Sequence, residues 1–498
     1  MPIYKVTLNK FYGGVADDII SANASEYANA VGLDDLMQIG RLSPYRSYTA
    51  RISGAFNIRR IVMGSDSTVY ALGTVASGST SSTTVFTKEF TAGINNASWT
   101  ESISGNGAAA QSSKAFTEHG VDGIRKYLYM WDANGAIDRY LMHDSLFEDG
   151  WQNPSGANAN NAGPIFAHSN GTIYFAYGNN VAGWDGTTFT VVAIDIPPGF
   201  QIMDLTEWNS YLIIAAAWGQ SITSSIDPTK SRTFFWDTVN PSTYQFAKLI
   251  PEGIVYACQN IGGELVAITL QGGGTLSQDG RMSAYVYDGA QFNLKKKLVA
   301  REANNVASFA YRGQHIGVKN NQLYFIAQLG NDQGIWRFGK NNGVYCLKRD
   351  RSMGNTTASE GWEPISSNSA IDFIGDYLCA TSDLSTTFCT INSNTYSSFG
   401  FYETPVFGSG KQYETKDLLS VAIVTRGLPA SSSVLVRYRT DGNTSWTDIG
   451  THSSGVFSEF ADELPKGWNL IQFRLETTGN AEITELTALY ESRLNRRL

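Results

Sequence analysis

A short run of apolar and aromatic residues recurs seven times along this 498-residue chain, and the recurrence limits the fold more than any other feature. The second residues of successive runs are 39 to 59 positions apart. Steps of this size, each holding several short strands, are typical of four-stranded propeller blades. The runs are residues 68–71, 127–130, 172–175, 211–214, 264–267, 322–325 and 377–380.

Each run is predicted to be the second strand of a hairpin. An apolar strand precedes it across a tight turn, such as residues 170–171 (Asn-Gly) or 262–263 (Gly-Gly). These residues readily adopt the positive φ that two-residue hairpin loops require. The third strand often ends in an aromatic residue, Asp and Gly, as at 184–186 and 287–289, and a fourth strand follows. Because the four strands recur in the same order, the pattern favours a propeller over a sandwich.

The predicted fold class is all-β, and the chain divides into three parts. Residues 1–56 precede the cycle and are predicted to form an extended N-terminal arm. Residues 57–398 are predicted to form an irregular β-propeller of about seven blades. Six blades remain possible, because the first unit carries a Ser/Thr-rich insertion at 77–84 and lacks the aromatic-Asp-Gly turn. Residues 399–498 contain longer strands with clean alternation, which indicates a C-terminal β-sandwich.

The charge of the chain excludes some classes of partner. Only 16% of the residues are charged, against about 25% in typical soluble domains, and the net charge is −8. Proteins that bind nucleic acid by neutralising phosphates are usually basic. A negative net charge is nevertheless compatible with a channel through which DNA slides without binding. No apolar run reaches the 18 residues of a membrane span, and we expect no signal peptide.

The residues that could carry catalysis are not arranged in a recognisable motif. The acidic residues mostly fall in predicted turns, where Asp caps its own backbone. The five histidines are scattered and lack metal-binding spacings. We therefore predict no catalytic residue, no metal site and no cofactor. The acidic positions are Asp132, Asp138, Asp185, Asp204, Glu207, Asp237 and Asp288, and the histidines are His119, His143, His168, His315 and His452.

The N-terminal arm is too short and irregular to form its own core. We expect it to pack across the propeller or to clasp a neighbouring subunit. Its Gly-Gly pair is not followed by the residues of a phosphate-binding loop. Deleting residues 1–40 should then leave the propeller folded but abolish incorporation into a ring. The candidate partner-binding residues are Phe11, Tyr12, Gly13, Gly14, Pro44 and Tyr45.

Several segments together resemble a known class of virion proteins. These are residues 11–15 (FYGGV), 41–46 (RLSPYR), 434–439 and 445–447, which flank the irregular blades. Their order resembles that of tailed-bacteriophage structural proteins and is most similar to the propeller-bearing nozzle proteins of short-tailed phages. The resemblance implies a virion location and a ring of copies, usually six, that lines or closes the DNA exit channel. It also implies contacts with the adaptor or tail tube above and with fibres at the side, no sequence-specific DNA binding, and no catalytic residues.

Two other functions are open at this point. A host-glycan-binding adhesin or receptor-binding tail protein would use exposed aromatic residues of the sandwich, Trp446 and Trp468. A propeller glycosidase or sialidase-like enzyme would need paired carboxylates or an arginine cluster. The Ser-x-Asp-x-Gly-x-Thr-Trp turn of sialidases is absent from the blades. The nearest segment, residues 440–446, has a different spacing and lies in the predicted sandwich.

Overall fold

A computed structural model shows an all-β protein whose forty described strands pair antiparallel. The structure describes residues 2–494 except 12, 17–19, 21–24, 35–40, 45, 53–55, 67, 76–81, 90–99, 109–115, 122–124, 133, 143, 145, 159–160, 219–230, 242, 272–279, 301–306, 310–315, 330–331, 353–369, 375–376, 382–387, 397–398 and 409–413.

The strands are numbered in chain order. They are β1 Ile3–Leu8, β2 Asn29–Val31, β3 Leu33–Asp34, β4 Ser43–Pro44, β5 Arg46–Ile52, β6 Phe56–Met63, β7 Thr68–Val75, β8 Ser82–Glu89, β9 Thr100–Ala108, β10 Phe116–Val121, β11 Arg125–Trp131, β12 Ile137–Leu141, β13 Leu146–Gln152, β14 Ala162–Ala167, β15 Ile173–Tyr177, β16 Asn180–Trp184, β17 Phe189–Asp195, β18 Phe200–Trp208, β19 Tyr211–Trp218, β20 Ser231–Trp236, β21 Phe246–Ile250, β22 Ile254–Ile261, β23 Glu264–Gln271, β24 Arg281–Tyr287, β25 Phe292–Val299, β26 Ala307–Phe309, β27 Ile316–Lys319, β28 Gln322–Leu329, β29 Asp332–Asn341, β30 Val344–Ser352, β31 Ala370–Ile374, β32 Tyr377–Thr381, β33 Phe388–Tyr396, β34 Phe399–Glu403, β35 Glu414–Thr425, β36 Ser433–Thr440, β37 Thr447–His452, β38 Phe457–Phe460, β39 Ile471–Thr478 and β40 Ile483–Leu494.

Seven of the sheets are the blades of a β-propeller. Blades 1 to 5 are β6–β9, β10–β13, β14–β17, β18–β21 and β22–β25. In blade 6, both β26 and β27 pair with β28, and β29 and β30 follow. Blade 7 consists of β31, β32, β33 and β5. The seven recurrent runs lie in the second strands of the blades, so the prediction of about seven blades is confirmed.

The ring closes between the two ends of the cycle. The first strands of blades 1 to 5 contact each other in succession, and β23 of blade 5 contacts β26 of blade 6. β27 of blade 6 contacts β31 of blade 7, and β31 contacts β6 of blade 1. The outermost strand of blade 7 is β5, which pairs antiparallel with β33. This pairing covers an edge that would otherwise be open to other chains. The predicted boundary at residue 56 is therefore wrong, because residues 46–52 belong to the propeller.

The C-terminal part is a β-sandwich, but it is not built from residues 399–498 alone. One sheet has the order β1-β40-β35-β38 and the other β2-β34-β39-β36-β37. The core between them includes Tyr402, Val436, Trp468, Phe473 and Leu486. Strands β1 and β2 come from the segment predicted as an extended arm. They join the sandwich because each satisfies its backbone hydrogen bonds along a sheet edge.

The hairpins use the predicted turn chemistry. At Gly262 and Gly263 both φ angles are positive, +58° and +91°, as a two-residue hairpin loop requires. Asn209 and Ser210 adopt the same conformation in blade 4, at +49° and +63°. These turns place each recurrent run directly after the innermost strand of its blade.

Candidate interaction surfaces

Phe11 and Pro44, which were predicted to bind a partner, are used inside the chain. The Phe11 ring is fully buried and packs edge-on against Tyr402 of the sandwich, with ring centroids 5.4 Å apart. Pro44 lies in β4, where it is buried and pairs with Leu33 of β3. The prediction for these two residues is wrong, because no surface of their side chains is left for another protein. Tyr12 and Tyr45 lie outside the described residues.

Gly13 and Gly14 are buried where the N-terminal segment meets the propeller. The Val15 N–H donates to the Leu347 carbonyl of β30 at 3.0 Å. Gly14 has φ +77°, and a Cβ there would lie 2.6 Å from Cys346 Sγ and 2.9 Å from the Leu347 oxygen. The glycine pair thus allows close backbone approach to blade 6. The predicted role of the glycine pair in binding another protein is wrong, because both glycines are buried inside the chain.

We expect Gly14→Ala to destabilise the protein by about 2–3 kcal/mol. A non-glycine residue at positive φ costs about 1–2 kcal/mol, and the clash with blade 6 adds to this cost. The matched control is Gly263→Ala, which has φ +91° but open space around the added Cβ. It should lose only the conformational part, about 1 kcal/mol. Urea unfolding of both variants measures the difference, and equal losses would contradict the close approach.

Polar contacts complete this docking seam, which we define as the described residues 13–16 and 25–31, packed against blades 5 and 6. Glu26 forms an ion pair with Lys296 of β25, and both side chains are about nine-tenths buried. Arg349 of β30 donates from Nη2 to Asn29 Oδ1 at 3.3 Å. Since β2 belongs to a sandwich sheet, the seam fixes the sandwich to one side of the propeller.

The outer strands of blades 2 to 6 carry exposed aliphatic side chains, including Val344 of blade 6. We call five of them, on blades 2 to 5, the apolar rim. Each of its five side chains is 41% to 53% exposed, in strands that are paired on one side only. The members are Leu146 of blade 2, Val191 and Val192 of blade 3, Leu249 of blade 4 and Leu294 of blade 5. A strand that is unpaired along one edge and carries an exposed apolar side chain is a position at which another chain can dock.

The outer face of the sheet β2-β34-β39-β36-β37 is rich in paired charges. Arg474 contacts Glu403 at 3.4 Å and Glu476 at 2.9 Å, and its guanidinium lies 4.0 Å from the centre of the Phe401 ring. Arg437 pairs with Asp448 at 2.7 Å and with Glu476 at 2.9 Å. These two arginines are therefore already neutralised by carboxylates of the same face.

Arg439, on the same strand, differs from its neighbours. Its guanidinium stacks on Trp446 at 4.5 Å from the ring centre, and its Nε donates to Gln472 Oε1 at 2.8 Å. Among the described residues no carboxylate lies within ion-pair distance of it, so its two Nη atoms are available for an outside acceptor. The sequence signal for this site was the pattern Arg437-x-Arg439 followed by Trp446. These residues were interpreted only as parts of the predicted sandwich strands.

The two tryptophans expected to be exposed in an adhesin have different surroundings. Trp468 is 2% exposed and lies in the sandwich core, so it does not meet the requirement of the adhesin hypothesis. Trp446 is half-buried, with one face covered by Arg439. A flat sugar-binding platform formed by both rings is therefore not present.

Four of the acidic residues cap turns, as predicted. Asp185 Oδ1 accepts hydrogen bonds from the backbone N–H groups of residues 187 and 188. Asp237 and Asp288 accept equivalent bonds after their aromatic residues. Asp132 does the same for residues 134 and 136. These carboxylates stabilise the turns of blades 2 to 5.

Glu207 does not lie in a turn, in contrast to the prediction. It belongs to β18 of blade 4 and accepts a 2.8 Å bond from the N–H of Ser169, in the first turn of blade 3. Glu118 of blade 2 accepts the same kind of bond, also 2.8 Å, from Ser65 in the first turn of blade 1. The two glutamates link neighbouring blades at equivalent positions.

Asp138 and Asp204 are also in strands, and both are buried. Asp204 accepts hydrogen bonds from the N–H groups of Leu205 and Cys258, at 2.9 and 2.7 Å, and from Gln259 Nε2 at 2.8 Å. Burial raises the pKa of Asp204 to about 8, although these donors favour the charged form. Burial likewise raises the pKa of Asp138 to about 7. The two carboxyls lie in separate blades, 4 and 2, and do not form a catalytic pair.

Asp204→Asn should raise stability at pH 8 by about 1–3 kcal/mol and change it much less at pH 5. The folded-state pKa lies above the ordinary value of 3.8, so the favourable contribution of this group is complete below pH 3.8. It is lost as the pH rises towards 8, whereas Asn stays neutral. Thermal unfolding at the two pH values measures the effect.

The control for this measurement is Asp288→Asn, in an exposed turn. Hydrogen bonds from the N–H groups of Gln291 and Ala290 lower the pKa of Asp288 to about 2, so it titrates outside this window. Its effect on stability should be the same at pH 5 and pH 8. A pH-independent effect of Asp204→Asn would contradict the raised pKa.

The described histidines serve three separate contacts. His119 Nε2 lies 2.8 Å from the Gly171 carbonyl, His168 Nδ1 accepts from the Asn170 N–H at 3.1 Å, and His452 lies between two hydroxyls. Burial lowers the pKa of all three. His143 and His315 lie outside the described residues.

Nowhere among the described residues do three or more His, Cys, Asp or Glu side chains come together in a way that could hold a metal ion. The described residues also contain no helix of the length and apolarity needed to cross a membrane.

Comparison with known proteins adds nothing about activity. No protein-family model and no curated protein matches the chain. Among solved structures, a puromycin-hydrolysing peptidase from Mycobacterium tuberculosis is similar with a TM-score of 0.45 and 10% identity, over 68% of this chain. The chain spans about half of that protein, 51%. At this TM-score the likeness carries no functional information.

Two smaller proteins are similar over nearly their whole length. Virginiamycin B lyase from Staphylococcus aureus has a TM-score of 0.43 and 11% identity, covering 69% of this chain and 97% of the lyase. YCF48 bound to D1 peptide has a TM-score of 0.43 and 11% identity, covering 71% and 98%. These values are also too low to indicate what this chain binds.

Proposed function

We propose that this chain is a structural subunit of a phage tail and forms a nozzle-like ring that lines or closes the DNA exit channel. The observation that carries the proposal is the apolar rim, which leaves exposed aliphatic side chains on four consecutive blades. The resemblance of the flanking segments to nozzle proteins supplies the biological context. In this proposal the protein belongs to the virion and has no catalytic role.

The rim is suited to contact with a second copy of the chain. A ring of identical subunits requires a head-to-tail interface that closes by rotation. Burying the rim against a neighbour would remove apolar surface from water, at about 25 cal/mol per Å². We propose six copies, as the resemblance implies, with the adaptor or tail tube above the ring and fibres at its side.

The docking seam and the closure of blade 7 support a mechanical role. The N-terminal segment pairs with the sandwich through β1 and β2, and with the propeller through β5. A mechanical load on the sandwich is therefore transmitted through the N-terminal segment to blade 7 of the propeller. The net charge of −8 favours passage of DNA without sequence-specific binding.

Mass photometry and electron microscopy of the purified protein test the proposal. We expect closed rings, and we expect Leu146→Lys, a change on the outer strand of blade 2, to shift the population to monomers by placing a charge in the interface. The control is Val239→Lys, which changes an exposed residue of a blade 4 turn, 77% exposed, away from the outer strand. A wild-type protein that stays monomeric and cleaves oligosaccharides would contradict both the ring and the absence of catalysis.

A further inference from the structure

We propose that Arg439 and Trp446 of one copy dock on the outer strand of blade 2 in the neighbouring copy. The inference rests on the proposed ring and names the two surfaces that meet in it. On blade 2 the contact comprises Leu146 and the carboxylates of Asp144 and Asp149. The interface is then a stacked arginine and tryptophan against an acidic and apolar strip.

The sandwich side of the contact is preorganised. Stacking on Trp446 and the hydrogen bond to Gln472 hold the Arg439 guanidinium in place. Its Nη atoms remain available, while Arg437 and Arg474 on the same face are held by carboxylates. Arginine binds carboxylates in a fork geometry, and arginine and tryptophan are enriched among the residues that dominate interfaces.

The blade 2 side offers matching chemistry. Leu146 is 51% exposed, and Asp144 and Asp149 on either side of it are exposed. Among the described residues neither of these carboxylates has a cationic partner. The intervening Glu148 does have one, because it pairs with Arg139 at 2.9 Å. Blade 2 therefore presents two exposed acidic groups without a cationic partner in the same segment as an exposed apolar side chain.

The charges of the other rim strands favour blade 2 as the docking partner. The outer strand of blade 4 carries Lys248 beside Leu249, and that of blade 5 carries the exposed Lys295 beside Leu294. Both would repel an arginine. In blade 3, Val191 and Val192 have a single acidic neighbour in their strand, Asp195. Among the described residues of the rim, only Leu146 of blade 2 has two acidic residues without an ion-pair partner within three positions, Asp144 before the strand and Asp149 in it.

The positions of the two surfaces fit a closed ring. The docking seam fixes the sandwich to blades 5 and 6. In a seven-bladed ring, blade 2 is three blades from blade 5 in one direction and three blades from blade 6 in the other. The sandwich and the outer strand of blade 2 thus lie on opposite sides of the propeller. A contact between different surfaces is head-to-tail and builds a ring rather than a twofold dimer.

A charge exchange tests the contact in the full-length protein. We expect Arg439→Glu and Asp149→Arg each to raise the concentration at which the ring dissociates by at least tenfold. The combined variant should recover most of the assembly, because the opposite charges again face each other. Arg426→Glu is the control, since it reverses the charge of a sandwich arginine that is 59% exposed and lies outside this face. Mass photometry across a dilution series provides the readout.

The outcomes separate this inference from the proposed function. A wild-type protein that never forms rings contradicts the ring itself. Rings that persist in Arg439→Glu, with thermal unfolding unchanged, contradict only the assignment of the interface. Loss of assembly in the combined variant, while both single variants remain folded, also contradicts it. Arg439→Lys retains the charge but not the fork or the stacking, and it should weaken the ring less than Arg439→Glu.

Discussion

Deleting residues 1–40 should unfold the sandwich while the blades of the propeller remain folded. The deletion removes β1 and β2, each of which is the edge strand of one sandwich sheet. It also removes four core side chains that are at most 3% exposed, Leu8, Phe11, Tyr27 and Leu33. Burial of each contributes about 1.5–3 kcal/mol, so the loss is about 6–12 kcal/mol. A whole domain is stable by only about 5–15 kcal/mol.

Hydrogen exchange followed by mass spectrometry measures this effect strand by strand. We expect β35, β36, β39 and β40 to lose protection, whereas β18–β20 keep it. Ile3→Lys is the control, because Ile3 is in β1 but is 66% exposed, and its replacement should leave the sandwich protected. If the truncated protein keeps a protected sandwich, the N-terminal strands do not belong to its core. Loss of ring assembly is expected as well, as a consequence of the unfolded sandwich.

Replacing Lys296 by Met should destabilise the protein by about 3–5 kcal/mol. Lys296 and Glu26 form a buried ion pair in the docking seam, and removing one partner leaves the other charge uncompensated. The double variant Glu26→Gln and Lys296→Met should recover most of the lost stability. Chemical unfolding of the two single variants and the double variant gives the coupling energy directly.

The matched control is Lys297→Met in the same strand. Lys297 pairs with Glu252 at 2.6 Å, and both side chains are partly exposed. Pairs of this kind contribute about 1 kcal/mol or less, so this change should be small. Equal losses at Lys296 and Lys297, or additive effects in the double variant, would show that the seam does not depend on the buried pair.

The blades could be predicted because the residues that specify each hairpin and turn are close together in the sequence. Each recurrent run follows a tight turn and pairs with the strand immediately before it, as Tyr211–Trp218 does with Phe200–Trp208. The caps at Asp185, Asp237 and Asp288 involve only residues two or three positions away. Local patterns of this kind can be read directly along the chain.

The interaction surfaces were not predictable in the same way. Phe11 and the glycine pair resembled exposed binding residues, but their neighbours in space, Tyr402 and Leu347, are more than 300 positions away. Asp204 was assigned to a turn because an acidic residue in the sequence usually marks one. In the structure it lies inside the strand Phe200–Trp208. In the sequence, Arg439 and Leu146 look like ordinary residues of strands with alternating side chains. Only the structure shows that Leu146 is exposed and that Arg439 has no carboxylate partner among the described residues.

The sequence by itself determined the all-β class, the cycle of seven hairpins and the change to a sandwich near residue 399, because turn residues and alternation act over a few positions. Only the tertiary structure decided where the N-terminal segment belongs: β1 pairs with β40, and β5 completes blade 7. The physical reason is that alternation in a strand states which side is buried but not which distant strand supplies the backbone partners. That choice depends on the folding of the whole chain.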